Sequence, residues 1–234
     1  MPAGIEVRND SGFIQIVDDI KNFVLLSKGS VNLSGSQWTG GASQSTMGAH
    51  ALIVIPNTLG YPPVLALRCV TSIVVYRTQL VSGNWHIDIV AQNNYALTDT
   101  VFWYAFGPTP NTVPSTVGFE VRNAAGELCY HTGYLPMRIV DFQSAAAGNN
   151  GQFSIAAGRV IAIVMLTNAW SWSSQVPAGV WQQFLYSSAL LTGDNTATVN
   201  GNLQYGSVAR PANYGWGGGA SGSWSAMALD VTGY

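Results

Sequence analysis

The sequence predicts an all-β protein built as two β-sandwich-like domains, each opened by a similar β-hairpin. Three observations carry that expectation. Apolar residues recur at every second position over short segments, as in strands with one buried face. Clusters of Gly, Pro, Asn, Asp and Ser separate those segments at short intervals. A phrase is also spelled twice: GIEVRNDSG at residues 4–12 returns as GFEVRNAAG at residues 118–126. Six of the nine positions are identical, and the spacing is 114 residues in a chain of 234.

Each copy of the phrase reads as a hairpin. In Ile5-Glu6-Val7-Arg8 the apolar side chains face one way and the charges the other. Asn9 to Gly12 supply turn chemistry, and Phe13 to Ile16 return as the partner strand. In the second copy Phe119 and Val121 alternate with Glu120 and Arg122, Asn123 to Gly126 turn, and Leu128 and Tyr130 alternate on the return. Continued without a gap, the alignment sets Ile20 against Tyr134, Phe23 against Met137, and Leu25-Leu26 against Ile139-Val140. That sustained agreement of apolar positions indicates duplication. Beyond it the halves cannot be aligned by sequence.

Further strands are expected at Ala51–Ile55, Val64–Leu67, Ser72–Tyr76, Trp85–Ala91, Val101–Phe106, Arg159–Leu166, Thr196–Val199 and Ala226–Val231. Residues Ala178–Leu190 place Trp181, Phe184 and Leu185 on one helical face but also alternate as a strand, and both readings stand. The stretch Gly107 to Thr116 carries three prolines and no charge at the midpoint, which sets the domains at 1–115 and 116–234. The competing reading is a Pro-rich loop inside one domain.

Composition narrows the function. Charged residues are 9% of the chain, where about 25% is usual. With 47% hydrophobic residues, disorder is not the reason. The surface is therefore expected to be Gly, Ser, Thr, Asn and Gln, which suits a part of a larger assembly or one facing the outside of a cell. The nine Lys and Arg are scattered, which argues against a nucleic-acid partner. No apolar run is long enough for a spanning helix, and the N-terminal residues do not read as a secretory signal, so synthesis in the cytoplasm without membrane insertion is expected. Cys69 and Cys129 do not make a disulfide framework. They either pair or, the reading preferred here, stay as partly buried free thiols.

Catalytic and metal motifs are missing from the sequence, so no catalytic residue, cofactor or metal site is assigned. His86 and Asp88 share a strand face, and read as an exposed pair rather than an acid–base pair. The aromatics are more informative. Trp170 and Trp172 share a face if their segment is a strand, and Tyr214, Trp216 and Trp224 stand among glycines and serines. Such indoles either pack across close backbones or offer flat faces to a ligand such as a sugar ring. These five residues are the candidate ligand- or partner-binding set, with the run from Trp216 to Trp224 expected to be exposed.

The opening MPAGIEVRNDSG and the internal GFEVRNAAGELCYHTGYLPMRIVDF resemble small tail proteins of tailed bacteriophages, encoded near the tail tip or tail fibre genes. The matching stretches are about 4–30 and 118–142, roughly a fifth of the chain. No residue role is carried over. The resemblance implies a virion component of the distal tail (tip, baseplate or fibre), made in the bacterial host cytoplasm and without enzymatic activity. Its implied partners are other phage tail proteins, further copies of itself, as in a trimer, and a host surface glycan or other receptor. A free carbohydrate-binding module is the alternative.

Overall fold

The computed structural model describes the chain except residues 1–5, 9–13, 18–19, 35–37, 40–44, 48, 92–97, 115–116, 147, 168–169, 176–179 and 211–216. The described residues form strands and no helix. The first half holds β1 (Glu6–Arg8), β2 (Ile14–Val17), β3 (Phe23–Asn32), β4 (Trp38–Thr39), β5 (Ser45–Met47), β6 (His50–Pro56), β7 (Val64–Arg68), β8 (Ile73–Val81), β9 (Asn84–Ala91) and β10 (Thr100–Pro108). The second holds β11 (Glu120–Arg122), β12 (Leu128–His131), β13 (Ile139–Ala146), β14 (Gly151–Ser154), β15 (Ile161–Thr167), β16 (Trp170–Gln175), β17 (Val180–Gly193), β18 (Thr196–Arg210), β19 (Gly217–Ser221) and β20 (Ser223–Asp230). The segment with two readings is thus the strand β17, which pairs with β18 across the Asp194-Asn195 turn.

Both copies of the repeated phrase fold as hairpins, and they match residue for residue. In β1–β2, Glu6 faces Val17, Val7 faces Ile16 and Arg8 faces Ile14, with a bulge between Val7 and Arg8. In β11–β12, Glu120 faces His131, Val121 faces Tyr130 and Arg122 faces Leu128, with the bulge between Val121 and Arg122. A bulge shifts one residue out of the ladder and is a specific feature of a strand pair. A second one recurs where β3 meets β10 and β13 meets β20. Leu25 faces Phe106 and Ser27 faces Ala105, while Ile139 faces Leu229 and Asp141 faces Ala228. The residues passed over, Leu26 and Val140, are again 114 apart.

The duplication extends past the point where the sequence loses it. Pro56 pairs with Asn84 and Ser154 pairs with Thr196, and the next residues repeat one bond: Asn57 N–H donates to Gly83 O (3.0 Å) and Ile155 N–H to Asn195 O (2.9 Å). The turns that follow hold Gly60 and Gly158 at φ of 79° and 78°, a region that glycine enters without strain. The partners Asn84 and Thr196 are offset by 112 residues, while Pro56 and Ser154, Asn57 and Ile155, and Gly60 and Gly158 are offset by 98 rather than 114. The change arises because the first half inserts β4 and β5 ahead of β6, and the second lacks them there.

Each half is a two-sheet unit. In the first, β3-β10-β7 lies over β6-β9-β8, with Ile53, Ile87, Ile89 and Val101 among the buried residues between them. In the second, β13-β20-β15 lies over β14-β18-β17, around Phe153, Ile163, Val199 and Trp224. Each such aliphatic side chain contributes about 1.5–3 kcal/mol by leaving water. The expected boundary at residue 115 lies between β10 and β11, yet both sheets cross it. Strand β7 pairs with β15 at Leu67 and Ile163, and β8 pairs with β17 at Ile73 and Ala189. The halves are therefore fused sandwiches, with a pseudo-two-fold axis between them.

The six strands β13-β20-β15-β7-β10-β3 also meet at their ends. Val24 bridges Pro136, Leu25 N–H donates to Leu135 O (2.8 Å), and Met137 N–H donates to Phe23 O (2.8 Å). Phe23 and Met137 are themselves 114 residues apart, so this junction too lies on the pseudo-axis. It closes over a third core cluster drawn from both halves, including Ala66, Phe106, Ala162, Val164 and Leu229.

Among the described residues Trp224 is the largest fully enclosed side chain. Replacing it with Ala should cost about 3–5 kcal/mol, read as a lower denaturation midpoint in urea.

Candidate functional site

The β11–β12 hairpin shows what the repeated phrase does when it is seated. Asn123 organises its turn: the Oδ1 accepts from the N–H groups of Ala125 (3.0 Å) and Glu127 (2.8 Å), and Gly126 takes a φ of 81°. The hairpin rests on the chain entering β3 and leaving β10. Asn22 N–H donates to Cys129 O (3.0 Å), and Thr109 Oγ1 donates to Cys129 O (3.1 Å). Asn111 Oδ1 accepts from Lys21 Nζ (3.0 Å) and from Leu128 N–H (3.3 Å). Lys21 also lies 3.6 Å from Glu127. The hydrogen bond from Asn123 and then the Lys21 charge hold the Glu127 carboxyl below its ordinary pKa. Val121, Leu128, Cys129 and His131 are all buried by this seating.

The β1–β2 hairpin has the same register and bulge but a different environment. Val7 is 40% exposed where its counterpart Val121 is 2% exposed. Around the pseudo-axis the second half also leaves apolar side chains open: Leu135 (44%), Ile139, Val140 and Phe142, beside Ile20 and Phe23 of the first half. A groove of about 480 Å³ runs along the junction, lined by Lys21, Phe23, Pro136, Met137, Arg138 and Ile139. Clusters of exposed apolar residues of this kind mark interaction surfaces.

Behind the groove lies an ionic cluster that sequence reading did not single out. Asp230 is buried and receives Arg159 Nη1 at 2.8 Å and Arg138 Nη2 at 3.6 Å. Its Oδ1 accepts from Thr232 N–H (2.9 Å). Arg138 is held in turn by the carbonyls of Asp230 (3.2 Å) and Thr232 and by the Tyr234 ring, 4.6 Å away. Burial pushes the Asp230 pKa up, but the Thr232 hydrogen bonds and the two arginines outweigh it, so the carboxyl titrates below its ordinary value. Arg138 and Arg159 are far from Asp230 in sequence, and the ladders of β13 and β15 with β20 bring them together.

Of the five aromatic candidates, Trp224 is the one whose side chain is described. Trp224 is fully buried, and its Nε1 donates to Asn149 O (2.8 Å). This corrects the expectation of exposure. Gly151 lets the indole approach, since a Cβ at that position would come within 2.3 Å of the ring. Trp170 and Trp172 lie in β16, between β17 and β19. Their side chains, with Tyr214 and Trp216, lie outside the described residues.

Other candidates resolve as structural. Asp88 is buried rather than exposed, and accepts from Arg77 Nε at 2.7 Å. Its neighbours Ile87 and Ile89 fill the core as expected. Cys69 and Cys129 are both buried and form no disulfide, and burial raises the Cys69 pKa. Among the described residues no group of three His, Cys, Asp or Glu is placed to hold a metal, and no helix is long and apolar enough to cross a membrane. A pocket of about 150 Å³ beside Leu26, Tyr61 and Trp85 is small against the roughly 300 Å³ at which ligand pockets begin. No family model, curated protein or solved structure matches this chain.

The Asp230 cluster predicts an acid-sensitive contribution to stability. A carboxyl with a lowered folded pKa stabilises fully above the unfolded value of about 3.9, and that advantage is lost as the pH falls through the folded value. Between about pH 6 and pH 3 the urea midpoint of the native protein should therefore fall further than that of Asp230→Asn.

Proposed function

We propose that this chain is a non-enzymatic structural subunit of a bacteriophage distal tail, at the tip, baseplate or fibre. Its partners are other tail proteins and further copies of itself, and it contributes to adsorption on a host surface glycan or other receptor. The observation that carries this reading is the doubled hairpin. One copy is seated inside the molecule, and the other keeps Val7 in solvent. A chain that presents an open copy of its own internal docking element is suited to be one part of an assembly. The exposed apolar residues about the pseudo-axis supply further contact area.

Two further features support it. The sequence phrase that resembles tail proteins is the element that folds twice with one register. The acids Asp88, Asp194 and Asp230 are each engaged by arginine, which suits a structural role. The free carbohydrate-binding module loses Trp224 from its aromatic set, because that ring is enclosed.

Mass spectrometry of purified parent particles, with immunogold labelling against this protein, tests the reading. The expected result is a stoichiometric particle protein with gold at the distal end of the tail. Particles that lack the protein would sink it, and glycan binding by the isolated chain would be examined next.

A further inference from the structure

We propose that this protein assembles head to tail, the β1–β2 hairpin of one copy seating on the second half of the next at Leu135, Ile139 and Tyr234. The inference shares with the proposed function the premise of a subunit in an assembly, and adds which surfaces meet and in what sense.

The template is internal. The β11–β12 hairpin sits on the entry to β3 and the exit from β10, using Lys21, Asn22, Thr109 and Asn111. The pseudo-axis defines an equivalent seat on the second half. The offset of 114 that relates Leu25 to Ile139 carries Lys21 to Leu135 and Asn22 to Pro136. The pairing that relates Phe106 to Leu229 carries Asn111 to Tyr234. On the hairpin side Val121 corresponds to Val7, and Glu127 to Phe13.

The substitutions at the second seat are complementary. In the occupied seat Lys21 faces Glu127 at 3.6 Å and shares Asn111 with the hairpin backbone. In the other, all three positions have become apolar or aromatic together: Leu135, Phe13 and Tyr234. At these positions the sequence replaces an ion-pairing set by apolar and aromatic residues on both sides of the proposed interface. Pro136 offers no N–H where Asn22 donates, so this seat depends on apolar area, which Leu135 and Ile139 provide in exposed form. Tyr234 is fixed in place by Pro136 O, which accepts from its hydroxyl, and by Arg138.

The single chain leaves both sides open, since Val7 and Leu135 are both exposed. A second copy therefore supplies the hairpin. Hairpin and seat are different surfaces, so a contact repeated in one sense is heterologous and gives a ring or a filament, whereas two copies that exchanged hairpins would close as a dimer.

Light scattering coupled to size-exclusion chromatography on the purified full chain tests this without any particle. The native protein should run as an assembly larger than a dimer that grows with concentration, and a native dimer of fixed size would overturn the head-to-tail sense. Val7→Asp and Leu135→Asp change exposed side chains, and each should run as a monomer with an unchanged circular dichroism spectrum. Mixed together they should form a one-to-one dimer and nothing larger, because the first keeps a working seat and the second a working hairpin. A native protein that is monomeric at every concentration would overturn the proposal, even if Val7→Asp lowered its melting temperature, which would place the hairpin in its own chain's seat. Single variants that still assemble, or a mixture that stays monomeric, would overturn it equally. None of these results bears on whether particles contain the protein.

Discussion

The structure depends on antiparallel backbone pairing across the pseudo-two-fold axis. A three-stranded sheet such as β3-β10-β7 has two edges, and each presents unpaired N–H and C=O groups. Fusion removes the inner edges by joining β7 to β15 and β8 to β17. The junction at Phe23 to Leu25 and Leu135 to Met137 joins the outer edges at one end. The shared core of Phe106, Ala162, Val164 and Leu229 exists only because these ladders bring the halves together.

Duplication followed by fusion explains why two copies of one design no longer look alike. Buried positions keep their geometry, as the two repeated bulges and the matched glycine turns record. The insertions fall at different places. The first half carries β4 and β5, while the second carries β16 and β19, which extend the sheet at β17 and β18. The two hairpins have diverged in surroundings more than in form. One is folded against the neighbouring half by polar bonds, and the other carries apolar residues at the matching positions.

How much was legible follows from the range of each interaction. Hairpins were legible because their alternation and turn residues lie within a dozen positions, and five of the eight further strands expected were placed within two residues of both ends. The repeat was legible only up to Leu26 and Val140, because the next insertion breaks the constant offset. The two readings of the segment around Trp181 could not be separated locally, since its apolar residues fit both periods; pairing with β18 decided for the strand. Asp88 read as solvent-facing by alternation, but Arg77 on the adjacent strand lies over it.

By itself the sequence determined the all-β class, the hairpins, the turns and the low-charge surface, because these rest on period, composition and residue conformations acting over a few positions. Tertiary structure alone decided that the halves share their sheets and that Trp224 packs against Gly151. It alone decided that Asp230 collects two arginines and that one hairpin is seated while the other stays open. Those outcomes depend on which edges and faces meet after the chain has turned back on itself, and residues about a hundred positions apart leave no local trace of that meeting.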